Sequence, residues 1–95
     1  MEKTFMLTVT YQAKPGCARA FVEELEASGV AAAVRAEDGC IRYDYYFSAA
    51  NEDEVFLFEE WTSQAHQQVH MNQPHMPQLR EIKEKHILNT TLRIL

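Results

Sequence analysis

The chain has 95 residues, with 14 Asp and Glu against 9 Lys and Arg, a formal charge of −5, and no cluster of cations to offset it. Long-range electrostatics therefore oppose binding to a phosphate backbone or an anionic lipid surface. No apolar run approaches the roughly 18 residues of a membrane-spanning helix, and Glu2-Lys3 before a short alternating segment is not a signal-peptide pattern. One cytoplasmic domain over residues 1–95 is expected, with neither nucleic acid nor membrane as partner. A domain of this size buries only about 60 to 65% of the surface of its unfolded chain, so it gains by dimerising.

Thr4 to Ala13 alternates Phe5, Leu7, Val9 and Tyr11 with Met6, Thr8, Thr10 and Gln12, a strand pattern ended by Lys14-Pro15-Gly16. From Cys17 to about Glu37 the apolar residues recur at helical spacing, with Ser28-Gly29 weakening the middle and allowing a bend. Asp38-Gly39 provides a turn into an aromatic strand, in which Ile41, Tyr43, Tyr45 and Phe47 alternate with Arg42, Asp44 and Tyr46. Ala49 to Asp53 connects to a third strand, Val55 to Trp61, with large apolar groups on both faces. A strand of that kind is expected to be covered on both sides, by helices and by a second subunit.

Thr62 or Ser63 can cap a short helix to about Met71; Pro74 interrupts, and a further helix begins near Met76-Pro77. Ile87 to Leu95 closes the chain as a strand. The order predicts an α+β, ferredoxin-like βαββαβ fold: an antiparallel sheet with helices on one face. Cys17 and Cys40 match no zinc or redox spacing and are expected to be free thiols.

Three of the four histidines and the only tryptophan fall between Trp61 and His75. Imidazole exchanges protons near neutral pH, and an indole is a fixed N–H donor on an apolar plate, so a pocket for a flat, weakly acidic organic molecule is indicated. His66 and His70, four apart on the short helix, have the spacing of a metal pair that His75 or His86 could complete, but a catalytic zinc wants three protein ligands and Gln67 stands where HExxH has its glutamate. No metal is assigned. A nucleophile elbow, a phosphate loop and a dinucleotide fingerprint are all missing from the sequence. Tyr43, Tyr45 and Phe47 are expected to form an aromatic wall. Glu59, alternating with Leu57 and Trp61, sits either at a wet strand end or toward a partner such as an imidazole.

Glu37-Asp38-Gly39-Cys40 before an aromatic strand, then Phe58-Glu59-Glu60-Trp61-x-Ser63, then His70 and Pro74-His75, resembles the antibiotic biosynthesis monooxygenase family over essentially the whole chain. Within it, the run from Trp61 to Met76 looks most like the small bacterial quinol monooxygenases. The resemblance implies a dimeric α+β barrel with a cavity in each protomer. It also implies oxidation of a small aromatic quinol or phenol by molecular oxygen without a cofactor, with His70 or His75 as base and Trp61 donating to, or packing on, the anion. Tyr43, Tyr45, Phe47, Glu59 and Arg80 are the expected substrate contacts, Arg80 because it matches an arginine of the anthrone-oxidising members. Those members carry asparagine where this chain has Leu57. Haem-degrading relatives have a tryptophan at the position of His70, which argues against haem breakdown here. A branch that isomerises a phosphorylated autoinducer sugar derivative shares the spacing of His70 and Pro74-His75 but has tyrosine at the position of Trp61. That isomerase and a non-catalytic small-molecule-binding dimer are the alternatives.

Overall fold

A computed structural model describes residues 3–95. The elements follow in the order β1 (Phe5–Ala13), α1 (Ala18–Ala27), α2 (Val30–Arg35), β2 (Cys40–Phe47), β3 (Glu54–Trp61), α3 (Gln64–His70), α4 (Met76–His86) and β4 (Ile87–Ile94). The strands form one antiparallel sheet in the order β2-β3-β1-β4. That is the ferredoxin-like arrangement expected from the sequence. Among the described residues no helix is long and apolar enough to cross a membrane.

Alternation on the two central strands decides which face is covered. Leu7, Val9, Tyr11 and Ala13 of β1 and Val55, Leu57, Glu59 and Trp61 of β3 are buried, while their neighbours along each strand are only half-buried. The helices supply Phe21 and Leu25 from α1, Val30, Ala31 and Val34 from α2, and Met76, Leu79 and Ile82 from α4 to the same core. The opposite face presents Phe56 and Phe58 among Thr8, Thr10 and Glu60, with the Arg42 guanidinium 4.5 Å above the Phe58 ring.

Two sequence expectations are corrected. The single helix from Cys17 to Glu37 is two helices: α1 ends at Ala27, and Gly29, at φ 86°, starts α2 from a left-handed conformation that glycine adopts without a Cβ penalty. On β2 the register shifts between Cys40 and Arg42, so Ile41 leaves the alternation and is 52% exposed instead of joining Tyr43 in the core. A bulge of this kind re-aims the side chains beyond it. Cys17 and Cys40 are both free thiols.

Of the three glycines, only Gly39, in the turn before β2, has no room for a side chain. Gly39 has φ 84°, and a Cβ placed there would overlap the ring of His66. Gly39→Ala is therefore expected to lower stability by about 1–3 kcal/mol, the usual cost of a left-handed non-glycine residue, more if His66 cannot move. Urea unfolding of the two proteins measures it.

Candidate active site

Local sequence marks where α3 begins. Ser63 caps the helix, its hydroxyl accepting from the His66 backbone N–H at 3.3 Å and lying 2.7 Å from His66 Nδ1. Gln67 and His70, three apart, share the buried face. Pro74 follows the helix, and Pro77 lies in the first turn of α4, so the short link through residues 71–75 brings His75 back toward His70.

Both histidines meet one carboxylate. Glu37, just beyond α2, is anchored by its N–H to the Val34 carbonyl at 3.0 Å and by the Cys40 N–H to its own carbonyl at 3.1 Å. Its Oε2 lies 2.9 Å from His70 Nδ1 and 2.7 Å from His75 Nε2. The side chains of Glu37 and His70 are 4% and 3% exposed, and Glu37 Oε1 is buried without a partner. A carboxylate oxygen accepts, so the two ring nitrogens facing it are the ones that carry protons. His70 is thereby left with Nε2 as its free nitrogen. The ring is held from two sides, by Trp61 with centroids 4.8 Å apart and by Tyr43 at 6.0 Å.

His70 lines a cavity of about 150 Å³ between the sheet and helices α3 and α4. Tyr43, Tyr11 and Glu59 form its sheet side, Met76 and Leu79 come from α4, and Arg80 and Lys83 bring two cations. Arg80 donates to the Met71 carbonyl at 3.3 Å, and Lys83 Nζ lies 5.9 Å from the centre of the Tyr11 ring. Burial raises the Tyr11 and Tyr43 hydroxyls well above the ordinary phenol range and raises Tyr45 as well. The three phenols are neutral donors at physiological pH. Tyr45 donates to the Tyr43 oxygen at 3.3 Å.

The structure sorts the residues expected from the sequence. His70, Tyr43, Glu59 and Arg80 line the cavity. His75 lies behind His70, on the far side of Glu37. Tyr45 stands one step back, on Tyr43 and Phe21. Trp61 has no exposed surface, and its N–H is already donated to Glu59 Oε1 at 3.0 Å, so its placement suits packing rather than donation to a bound anion. Phe47 does not join the aromatic wall: at the last position of β2 it is 40% exposed and lies under the Arg19 guanidinium of α1 at 4.5 Å, not on the cavity.

Glu59 is buried and takes a partner, an indole rather than an imidazole, so the wet strand end does not occur. The His66–His70 metal pair does not form either, since His66 turns to Ser63 and Asp38. The three-donor group that could hold a metal is instead Glu37, His70 and His75, with ligating atoms within 4.8 Å of one another. Glu37 is the residue that sequence reasoning did not single out as part of the site; it stands first in the Glu-Asp-Gly-Cys motif, which was the signal available. Burial, with Glu37 and Glu59 nearby, pushes the Cys40 thiol up to about 11, which leaves it protonated and a poor nucleophile.

Fold and site together define a small α+β domain with an imidazole opening on an aromatic cavity. Residues 4–81 match the family model described as antibiotic biosynthesis monooxygenase, and the chain belongs to that family. Among solved structures, PA3566 from Pseudomonas aeruginosa is 29% identical over 100% of this chain and 94% of its own, with a TM-score of 0.85. Rv0793 from Mycobacterium tuberculosis is 26% identical over 98% of this chain and 93% of its own, with a TM-score of 0.82. A conserved protein from Methanosarcina mazei Go1, at 22% identity over 97% of this chain and 90% of its own, shares the fold with a TM-score of 0.84. No curated protein matches the sequence.

Glu59 gives the site a pH signature. Burial raises its carboxyl above the ordinary 4.5, and Glu37 adds to the effect, while the Trp61 N–H and His70 oppose it. A carboxyl with a raised folded-state value contributes fully to stability below the ordinary range, and that contribution is lost as pH rises through the folded value. Wild type should therefore lose stability on going upward from about pH 4.5 relative to Glu59→Gln, and the gap should become constant once Glu59 is ionised. Chemical denaturation at a series of pH values checks this; a pH-independent difference would contradict it.

Proposed function

We propose that the protein is a cofactor-independent monooxygenase that oxidises a quinol or related electron-rich phenol with molecular oxygen. The observation that carries this reading is His70: Nδ1 is held by a buried carboxylate and the ring opens on a cavity walled by Tyr11, Tyr43, Met76 and Leu79. A flat aromatic ring fits between the tyrosines and the α4 side chains. His70 Nε2 takes the phenolic proton, and the resulting anion is electron-rich enough to pass one electron to oxygen. Glu37 steadies the imidazolium formed in that step, as a carboxylate does in any base–orienter pair, and His75 positions Glu37. Trp61 supports the rear of the His70 ring, and Arg80 guards the cavity.

A second reading has one observation in its favour. Arg80 and Lys83 make no ion pair among the described residues, although both line the cavity of a chain with net charge −5. Such a pair suits an anionic substrate, including the phosphorylated sugar derivative of the isomerase branch. Conversion without oxygen separates the two reactions.

The proposed assembly is a homodimer joined through the sheet face that carries Phe56 and Phe58, which completes an α+β barrel. Light scattering at micromolar concentration should give a dimer mass for wild type and a monomer mass for the Phe56→Asp/Phe58→Asp double variant. A monomeric wild type would contradict the assembly.

For the chemistry, oxygen uptake with a menadiol-like quinol is expected in wild type. His70→Ala should lower it by about 100-fold or more, the usual contribution of a positioned base. His75→Ala should cost less, since it acts through Glu37. Equal rates in wild type and His70→Ala would remove His70 from the mechanism, and anaerobic turnover of a phosphorylated sugar derivative would favour the isomerase.

A further inference from the structure

Glu59 is the one carboxyl group that lines the cavity, and its two oxygens are in different situations. Oε1 accepts the Trp61 N–H at 3.0 Å. Among the described residues Oε2 has no hydrogen-bond partner. Glu37 Oε1 is the only fully buried side-chain polar atom without one among the described residues, so Glu59 Oε2 keeps contact with the cavity space. The cavity thus receives a free imidazole nitrogen from α3 and a free carboxyl oxygen from β3. Groups of different type that meet one small cavity can act as base and acid on the same substrate.

We propose that Glu59 is the general acid of this site, delivering a proton from Oε2 to the oxygen that leaves as water after molecular oxygen has bonded to the substrate ring. The proposal rests on the oxygenase reading above. The overall conversion is quinol plus oxygen to hydroxyquinone plus water. His70 takes a phenolic proton, one electron passes from the quinolate to oxygen, and the two radicals pair to form a C–O bond at an adjacent ring carbon. The peroxide so formed takes the proton from His70. In the next step His70, neutral again, removes the hydrogen on that carbon as the O–O bond breaks; the C–O bond becomes a carbonyl, and the departing oxygen takes the Glu59 proton to become water. The proton now on His70 restores Glu59, and the triketone tautomerises to the hydroxyquinone. Oxygen accepts four electrons in all, two from the quinol-to-quinone change and two from the C–H bond.

The surroundings of Glu59 suit a proton donor. Tyr11 from β1 and Tyr43 and Tyr45 from β2 are neutral phenols, and Trp61 fixes the carboxyl from its own strand. Burial raises its proton affinity and Glu37 adds to this, while the Trp61 N–H and, from α3, His70 lower it; Arg80 and Lys83 of α4 line the same cavity. Among the other oxygen-bearing groups of the cavity wall, the Tyr11 and Tyr43 hydroxyls have raised values that make them poor donors to a leaving group, and the Thr90 hydroxyl, an aliphatic alcohol, is a weaker acid than a carboxyl.

The test is Glu59→Gln, whose amide oxygen can still accept the Trp61 N–H. With a quinol, the variant is expected to consume oxygen but to yield at least about tenfold less hydroxyquinone per oxygen, with hydrogen peroxide in its place, and Glu59→Asp should recover part of the coupling. Infrared spectroscopy of the wild type should show a carboxylic C=O band that persists above the ordinary carboxyl pH range and is missing in Glu59→Gln. Unchanged hydroxyquinone per oxygen in Glu59→Gln, or no such band in the wild type, overturns the role of Glu59 alone. A wild type that oxidises no quinol overturns the oxygenase reading and this role with it, and that result is read before any variant is made.

Discussion

The site depends on one buried carboxylate. Glu37 Oε2 is shared by His70 and His75 at hydrogen-bond distance, in a place where neither the Glu37 nor the His70 side chain has more than a trace of exposed surface. Leaving a charge or polar group unpaired at such depth is costly, so the three side chains stand or fall together. Through them the turn after α2, the end of α3 and the start of α4 are tied to one point. The cavity takes its shape from that tie, because His70 projects from α3, and Met76, Leu79 and Arg80 follow His75 along α4.

The sheet adds a second, separate pairing. Trp61 and Glu59 lie two apart on β3, on the same face, and the indole N–H satisfies one carboxyl oxygen while its ring backs His70. Two carboxyl groups therefore stand in different settings around the cavity. Glu37 is held by His70 and His75, whereas Glu59 is held through one oxygen by Trp61 and lines the cavity that His70 also lines. Their difference comes from what surrounds them and not from residue type.

Much of the frame was legible in the sequence because it follows from short-range rules. Alternation located β1 and β3, a cap at Thr62 or Ser63 and the proline at Pro77 marked the starts of α3 and α4, and the run from Trp61 to His75 contained the His70 and His75 that meet Glu37. Where the reading failed, a single residue or a single step of register was responsible. Gly29 broke a continuous apolar periodicity into two helices, and the shift between Cys40 and Arg42 sent Ile41 outward without changing the pattern of residue types. Phe47 looked like cavity wall by parity alone, but it lies at the end of β2, away from the cavity.

By itself, then, the sequence determined the ferredoxin-like order of strands and helices apart from the break at Gly29, the alternation of the central strands, the family, and His70 and Glu59 as candidates for the site. These depend on periodicity, capping and residue chemistry, all of which act over a few positions. Only the tertiary structure decided that His70 pairs with Glu37, 33 positions away, and not with His66 on its own helix. It also decided that the Trp61 N–H is already taken, and which nitrogen of His70 and which oxygen of Glu59 remain free. The reason is physical: partners of a buried polar group are selected by the packing of whole elements against each other, and no local pattern records which distant group will be there to meet it.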